Sequence, residues 1–364
     1  MEANGRGPGT LRAQAEQAMR QSWFPVARSC DITGPPRPAT LLGRPLVVYR
    51  GASGRPVVAE RRCPHRGGDL AIGTVHGDDI ACPYHGWRYS GDDGRCVLVP
   101  SLEDQAKIPR QALIETFPAV ERFGHIWTVL EEPVRPLYEP AEWQDVEFDW
   151  LAADPIPSPT GVAVAIENFR DVAHFPFVHR VSMGLTPWVI EPLDVRRDGL
   201  DVYLDRPLDA SSGDWGNQGN CMMRYHCAAP GFAAITYDYE RLGKRVVAGF
   251  PSPVSYEEVL IFWGVANETT FRGDPIEECL RIEELVYLED VPIVAGLEPR
   301  EVPWDHEYRE VSVPADAFTL NYRLAFKELM KRAVGTAAAA PLLGPGRSVP
   351  RASRGAPAGA RPAS

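Results

Sequence analysis

Short apolar runs separated by turn residues dominate the first third of the chain. Residues 40–42, 46–49, 57–59 and 126–130 are of strand length and rich in β-branched and aromatic side chains, and the segments GASG, GDD and GDDG between them supply turns. This pattern predicts a small all-β domain over residues 21–132. An N-terminal extension, 1–20, precedes it, with a Gly-rich start and a helical stretch near 11–21. Beyond a Pro-rich connection at 132–140 the runs lengthen. Segments 161–165, 200–204, 222–228, 233–239, 246–250 and 259–266 predict one larger antiparallel sheet, with helices before and after it, in a second domain over 133–334. Asp274-Pro275 places an N-cap and a first-turn proline ahead of a helix running to about Asp290. Asp316 opens another, in which Phe318, Tyr322, Ala325, Phe326, Leu329 and Met330 form one apolar stripe, a core face. The fold class is therefore α+β. Residues 335–364 are Ala, Pro, Gly, Ser and Arg with no acidic residue, and predict a disordered tail.

Composition narrows the function classes. A chain of 364 residues that is 44% hydrophobic can bury two cores. A net charge of -11 argues against nucleic acid or an anionic membrane as the main partner. There is no apolar run long enough to span a bilayer, and the N-terminus lacks a signal-peptide core, so a cytoplasmic protein is expected. Seven cysteines with no framework spacing fit a reducing compartment.

Two of those cysteines belong to a pair of mixed forks, Cys63-Pro64-His65 and Cys82-Pro83-Tyr84-His85. Two thiolates and two imidazoles suit a [2Fe–2S] centre with Cys on one iron and His on the other, an electron relay of raised potential. In each fork Pro follows Cys and rigidifies the loop, while a nearby Gly permits a tight turn. Zinc is the alternative occupant, but zinc sites typically pair CxxC with HxxxH.

A second constellation is Asn168, Asp171, His174 and His179. On a helix the first three share a face, and His179 joins them only if Pro176 breaks the helix and lets the chain swing back. Two imidazoles and one carboxylate on one side of iron are the facial triad of non-haem Fe(II) oxygenases. The carboxylate has three candidates: Asp290, on an apolar helix face if the helix persists past Pro292; its neighbour Glu289; and Asp171. Trp188, Trp215, Trp263 and Trp304 are candidate walls of an aromatic pocket, or simply core.

The segment CPHRGGDLAIGTV…IACPYHGWRY resembles the Rieske iron–sulfur domain. With NxxDxxHxxxxH and EDxPIV near 289–294, the resemblance extends over roughly residues 20–332 to the terminal oxygenase subunit of Rieske non-haem iron oxygenases, in the branch containing aromatic O-demethylases and related monooxygenases. It implies a helix-grip catalytic domain, a cluster held by Cys63, His65, Cys82 and His85, and a mononuclear Fe(II) held by His174, His179 and Asp290. It also implies that Asp171 links this iron to the Rieske His85 of a neighbouring subunit in a head-to-tail homotrimer, and that Asn168 is an auxiliary polar residue. Implied reactants are O2, a small organic substrate, and electrons from NAD(P)H through a separate reductase or ferredoxin. Arene dihydroxylating relatives often place one more residue between Asn and Asp, which favours monooxygenation here. Hydroxylation, demethylation, oxidative cyclisation and amine N-oxygenation share this iron chemistry. The rivals are an electron-transfer protein without oxygenase activity and a zinc-stabilised interaction module.

Overall fold

The computed structural model describes residues 9–182, 188–208, 220–304 and 310–339. Helix α1, Gly9–Arg20, packs its Ala15, Ala18 and Met19 face into the core. Three small antiparallel sheets follow. Phe24–Arg28, His125–Thr128 and Ala119–Arg122 form one; Arg37–Leu41, Arg44–Arg50, Pro56–Glu60 and Thr116–Phe117 form the second. Thr74–His76, Asp79–Ala81, Arg88–Tyr89 and Cys96–Leu98 form the third, a short meander over its own core of Leu70, Ile80, Tyr89 and Ile114. The meander and the end of Pro56–Glu60 carry the two forks.

The second half is built on one eight-stranded antiparallel sheet. Its long strands are Asp201–Leu208, Cys221–Ala228, Phe232–Tyr239, Gly243–Ser255 and Glu258–Glu268, with Phe148–Ala152, Ile156–Ser158 and Arg196–Asp198 at its edges. Both faces are covered. Tyr225, Tyr237, Val247 and Trp263 point to the helical side, whereas Phe232, Ala248, Phe250 and Phe262 meet Trp127 of the N-terminal half and Trp143. A sheet buried on both faces reads as continuous apolar runs, as these strands do.

The expected strand at 161–165 is instead the start of helix α2, Val162–Arg170. Val162, Ala163, Val164, Ala165 and Ile166 are all buried, so the segment has no polar face to betray a helical period. Gly161, at the N-cap, has no side chain to offer; the buried Glu301 reaches in and accepts from the Ala163 amide at 3.2 Å. A Cβ on Gly161 would collide with that carboxylate. The helix stops at Asp171, which has left helical geometry at ψ 112°. Pro176 therefore does not break a helix; it sits in the first turn of the short α3, Phe175–Val178, where proline is tolerated.

Helix α4, Ile276–Val294, runs past Asp290 and contains Pro292 in its last turn, so the proline neither ends it before Asp290 nor turns Asp290 aside. Helix α5, Ala317–Ala339, follows a single 3-10 turn at Pro314–Asp316 and buries Phe318, Tyr322, Phe326, Leu329 and Met330 as the stripe predicts. The disordered tail expected from 335 starts too early: 335–339 continue α5, where Ala-rich sequence favours helix, and the rest of the predicted tail, 340–364, lies outside the described residues.

Candidate metal centres

The first centre is assembled by two loops with the same backbone plan. In one, the Cys63 amide donates to the Gly68 carbonyl and the Gly67 amide returns to the Cys63 carbonyl; in the other, Cys82 pairs likewise with Trp87 and Gly86. Gly67 and Gly86 both take φ +70°, which glycine adopts without strain. The loops thus present Cys63 and Cys82, both buried, opposite each other, with His65 and His85 4.6 Å apart between ring centroids. His65 stacks on Trp87 at 4.3 Å. Its Nδ1 is buried without a partner, as a metal-facing nitrogen should be. Gly68 leaves room for the sulfur: a Cβ there would lie 2.7 Å from the Cys82 Sγ. The Tyr89 hydroxyl lies 3.0 Å from the Cys63 Sγ. His85, Tyr84 and Pro83 form an exposed tip. The donor set and the orphaned Nδ1 fit a two-iron cluster.

The second centre lies where α2 ends, α3 begins and α4 passes. His174 Nε2 and His179 Nε2 face each other at 3.0 Å, and Asp290 Oδ1 stands 3.5 Å and 3.3 Å from them. One ligand atom from each of these three side chains lies within 4.8 Å of the other two, close enough to share a single ion. The opposite ring nitrogens are also occupied: His174 Nδ1 is 3.5 Å from Asp171 Oδ2, and His179 Nδ1 is 2.9 Å from Glu289 Oε2. A carboxylate at Nδ1 fixes the proton there and leaves Nε2 as a lone pair. Two lone pairs and a carboxylate oxygen directed at one another repel unless a cation lies among them, so the geometry fits a divalent metal. Burial opposes charge on His179, yet Asp290 and Glu289 outweigh it and raise its pKa, the same field that would favour a metal ion.

Of the three carboxylate candidates, Asp290 alone turns to the Nε2 side. Glu289 accepts instead from the Ser182 hydroxyl at 2.6 Å and holds His179 from behind. Asp171 accepts from the Ala173 amide at 2.7 Å and leans toward His174; burial works against its charge, but these contacts keep its pKa below the usual range. Asn168 borders the same cavities as His174 and Asp290.

An apolar cavity opens beside this centre, walled by Phe169, Tyr225, Tyr237, Val247 and Tyr287. None of the three described candidate tryptophans lines it: Trp263 and Trp304 are core and Trp188 is exposed; the fourth, Trp215, lies outside the described residues. The aromatic wall comes from strand positions, from Phe169 on α2 and from Tyr287 on α4, which the sequence could have suggested only with the strand register known. Glu283 also borders the cavity while only 6% exposed, and burial pushes its pKa up to about 7, against the pull of Arg245 and His179.

Residues 22–118 match the family described as the Rieske [2Fe-2S] domain, and residues 160–332 that of the vanillate O-demethylase oxygenase C-terminal domain. Methylxanthine N1-demethylase NdmA of Pseudomonas putida is 29% identical over 329 residues, 85% of this chain and 89% of that protein. Aminopyrrolnitrin oxygenase PrnD of Pseudomonas fluorescens is 35% identical over 178 residues, 47% of this chain and 48% of that protein. The structure of Pseudomonas putida CBB5 NdmA with caffeine is similar at a TM-score of 0.75 and 25% identity, covering 92% of this chain and 100% of that one.

Proposed function

The chain belongs to the Rieske non-haem iron oxygenases, as a terminal oxygenase subunit of the O-demethylase branch, and from that membership we propose a role for each of its site residues. Enzymes of this family use a [2Fe–2S] cluster, a mononuclear iron, O2 and electrons from NAD(P)H delivered by a reductase or ferredoxin. Cys63, His65, Cys82 and His85 hold the cluster, and His174, His179 and Asp290 hold the iron. The convergence of His174, His179 and Asp290, with both Nδ1 atoms tied to carboxylates, carries this reading.

Bound iron supplies the activation of dioxygen. The chain's own residues prepare the place. Asp171 and Glu289 hold the two imidazoles in one tautomer and one orientation. The cavity walls seat the substrate against the metal side of His174 and Asp290 and keep bulk water out. Asp171 is half-exposed, and its placement behind His174 suits a link to His85 of the partner subunit in a homotrimer, since His85 stands on an exposed tip. Asn168 is an auxiliary polar group beside the iron.

The reaction we favour is oxidative removal of a methyl group from an aromatic substrate, or hydroxylation of one, which agrees with the demethylase and oxygenase names of the relatives. Cyclisation and N-oxygenation are the other outcomes of the same site. We place the cluster domain at 21–132, the catalytic domain at 133–334, and the protein in the cytoplasm, where thiolate ligation is favoured; no described helix is long and apolar enough to cross a membrane.

The test is electron paramagnetic resonance and iron and sulfide analysis of purified protein, followed by aerobic incubation with a surrogate reductase and methylated aromatic compounds. Two iron environments, with formaldehyde release or a product one oxygen heavier, are expected. A single iron environment, or unchanged turnover in His174→Ala, would overturn the reading.

A further inference from the structure

Glu283 is a carboxylate without an explanation in the fold. Among the described residues it has no hydrogen-bond or ion-pair partner, although it is 6% exposed and its neighbours are aromatic rings. An unpaired carboxylate in such a place destabilises the folded chain, and a hydrophobic residue there would serve packing better. Arg245 and His179 pull on it only from a distance, and no guanidinium among the described residues pairs with it. Arg170 donates to the Ala234 carbonyl at 3.2 Å and lies over the Tyr225 ring, and the Arg245 guanidinium is held by Asn267 and the Asp274 carbonyl.

Glu283 and Asp290 lie on one face of α4, two turns apart, with Tyr287 between them bordering the same cavity. At the helical rise their backbones are about 10 Å apart. That is roughly the length of one aromatic ring with a substituent at each end. The Tyr237 and Tyr287 rings, which border the same cavity, add π surface that attracts a cation. We propose that Glu283 anchors a hydrogen-bond-donating nitrogen, an amine or ring N–H, at the end of the substrate remote from the oxidised carbon. The inference rests on the oxygenase reading of the site, and makes Glu283 a specificity-determining residue for nitrogen-bearing aromatic substrates.

The experiment is calorimetric titration of the holoprotein at pH 8 with three one-ring probes: 4-methoxybenzylamine, neutral 4-methylanisole and anionic 4-methoxyphenylacetate. Wild type should bind the amine at least tenfold more tightly than the other two. Glu283→Gln should lose most of that preference, Glu283→Asp should keep part of it, and Glu283→Gln should melt no lower than wild type, because a packing role is not what the carboxylate serves. Equal binding of the neutral probe, no binding of the amine, or an unchanged preference in Glu283→Gln would overturn the proposal. The oxygenase reading fails separately, through missing cluster or iron signals recorded before titration.

Discussion

Glu289 and Asp290, adjacent on α4, grip the His179 imidazole from its two sides: Glu289 Oε2 lies 2.9 Å from Nδ1, and Asp290 Oδ1 lies 3.3 Å from Nε2. Neighbouring residues on a helix point about 100° apart, and the ring fits between their carboxylates. Glu289→Gln should therefore keep the fold and weaken iron binding by roughly 10- to 100-fold, the usual cost of losing an outer carboxylate. Competition with a chelator measures it, and an unaltered cluster spectrum shows that the change is local.

The Tyr89 hydroxyl, 3.0 Å from the Cys63 sulfur, is placed to donate to a cluster thiolate. Hydrogen bonds to cluster sulfurs raise the reduction potential. Tyr89→Phe should lower the midpoint by roughly 40 mV, the one-electron equivalent of a hydrogen bond worth about 1 kcal/mol. Redox titration followed by absorbance checks both sign and size.

Gly68→Ala should abolish most cluster assembly, because the added methyl would lie 2.7 Å from the Cys82 sulfur. Gly34→Ala is the control: a Cβ there meets nothing within 4 Å. Acid-labile sulfide per chain distinguishes the two. Equal sulfide in both variants would refute the crowding argument.

Glu301 gives a pH dependence with a definite sign. Burial pushes its pKa up to about 8 from 4.5, the backbone amides of Val302 and Ala163 only partly opposing. Between those values the native chain holds a proton that the unfolded chain has released. Its stabilisation is thus complete below about 4.5 and is lost as pH rises toward 8, at up to about 1.4 kcal/mol per pH unit. The melting temperature of Glu301→Gln should gain on wild type steadily from pH 5 to pH 8. A constant difference would show that Glu301 does not titrate in this window.

The cluster loops were legible because a Cys/His fork is readable at any spacing, and the stripe from Phe318 to Met330 because a helix with one wet face shows its period. Helix α2 was not legible: with Val162 through Ile166 buried all round, β-branched residues alternating with alanine mimic a strand. The hydrogen-bond plan shared by the Cys63 and Cys82 loops follows the Cys-Pro-x-x-Gly spacing that both carry, with Gly67 and Gly86 four residues after their cysteines, although the histidines fall at different offsets. His174 and His179 were expected to converge, and they do, but the break lies at Asp171 and Pro176 opens the next turn. Helix phase alone left Asp290, Glu289 and Asp171 open and only the family resemblance pointed to Asp290, because phase does not say on which side of α4 the imidazole lies; the structure turns Asp290 to Nε2 and Glu289 to Nδ1 of His179. Glu283 carried no local signal, since Glu277, Glu278, Glu284 and Glu289 stand on the same helix and none of them is buried.

Because Glu283, Tyr287, Glu289 and Asp290 all stand on one continuous helix, single substitutions and changes of length should have very different consequences. Replacing Glu283 or Tyr287 alters what the cavity accepts and leaves the grip on His179 untouched. Inserting or deleting one residue between Glu283 and Asp290 would twist one end by about 100° against the other, so substrate preference can drift by replacement in this stretch while its residue count is locked.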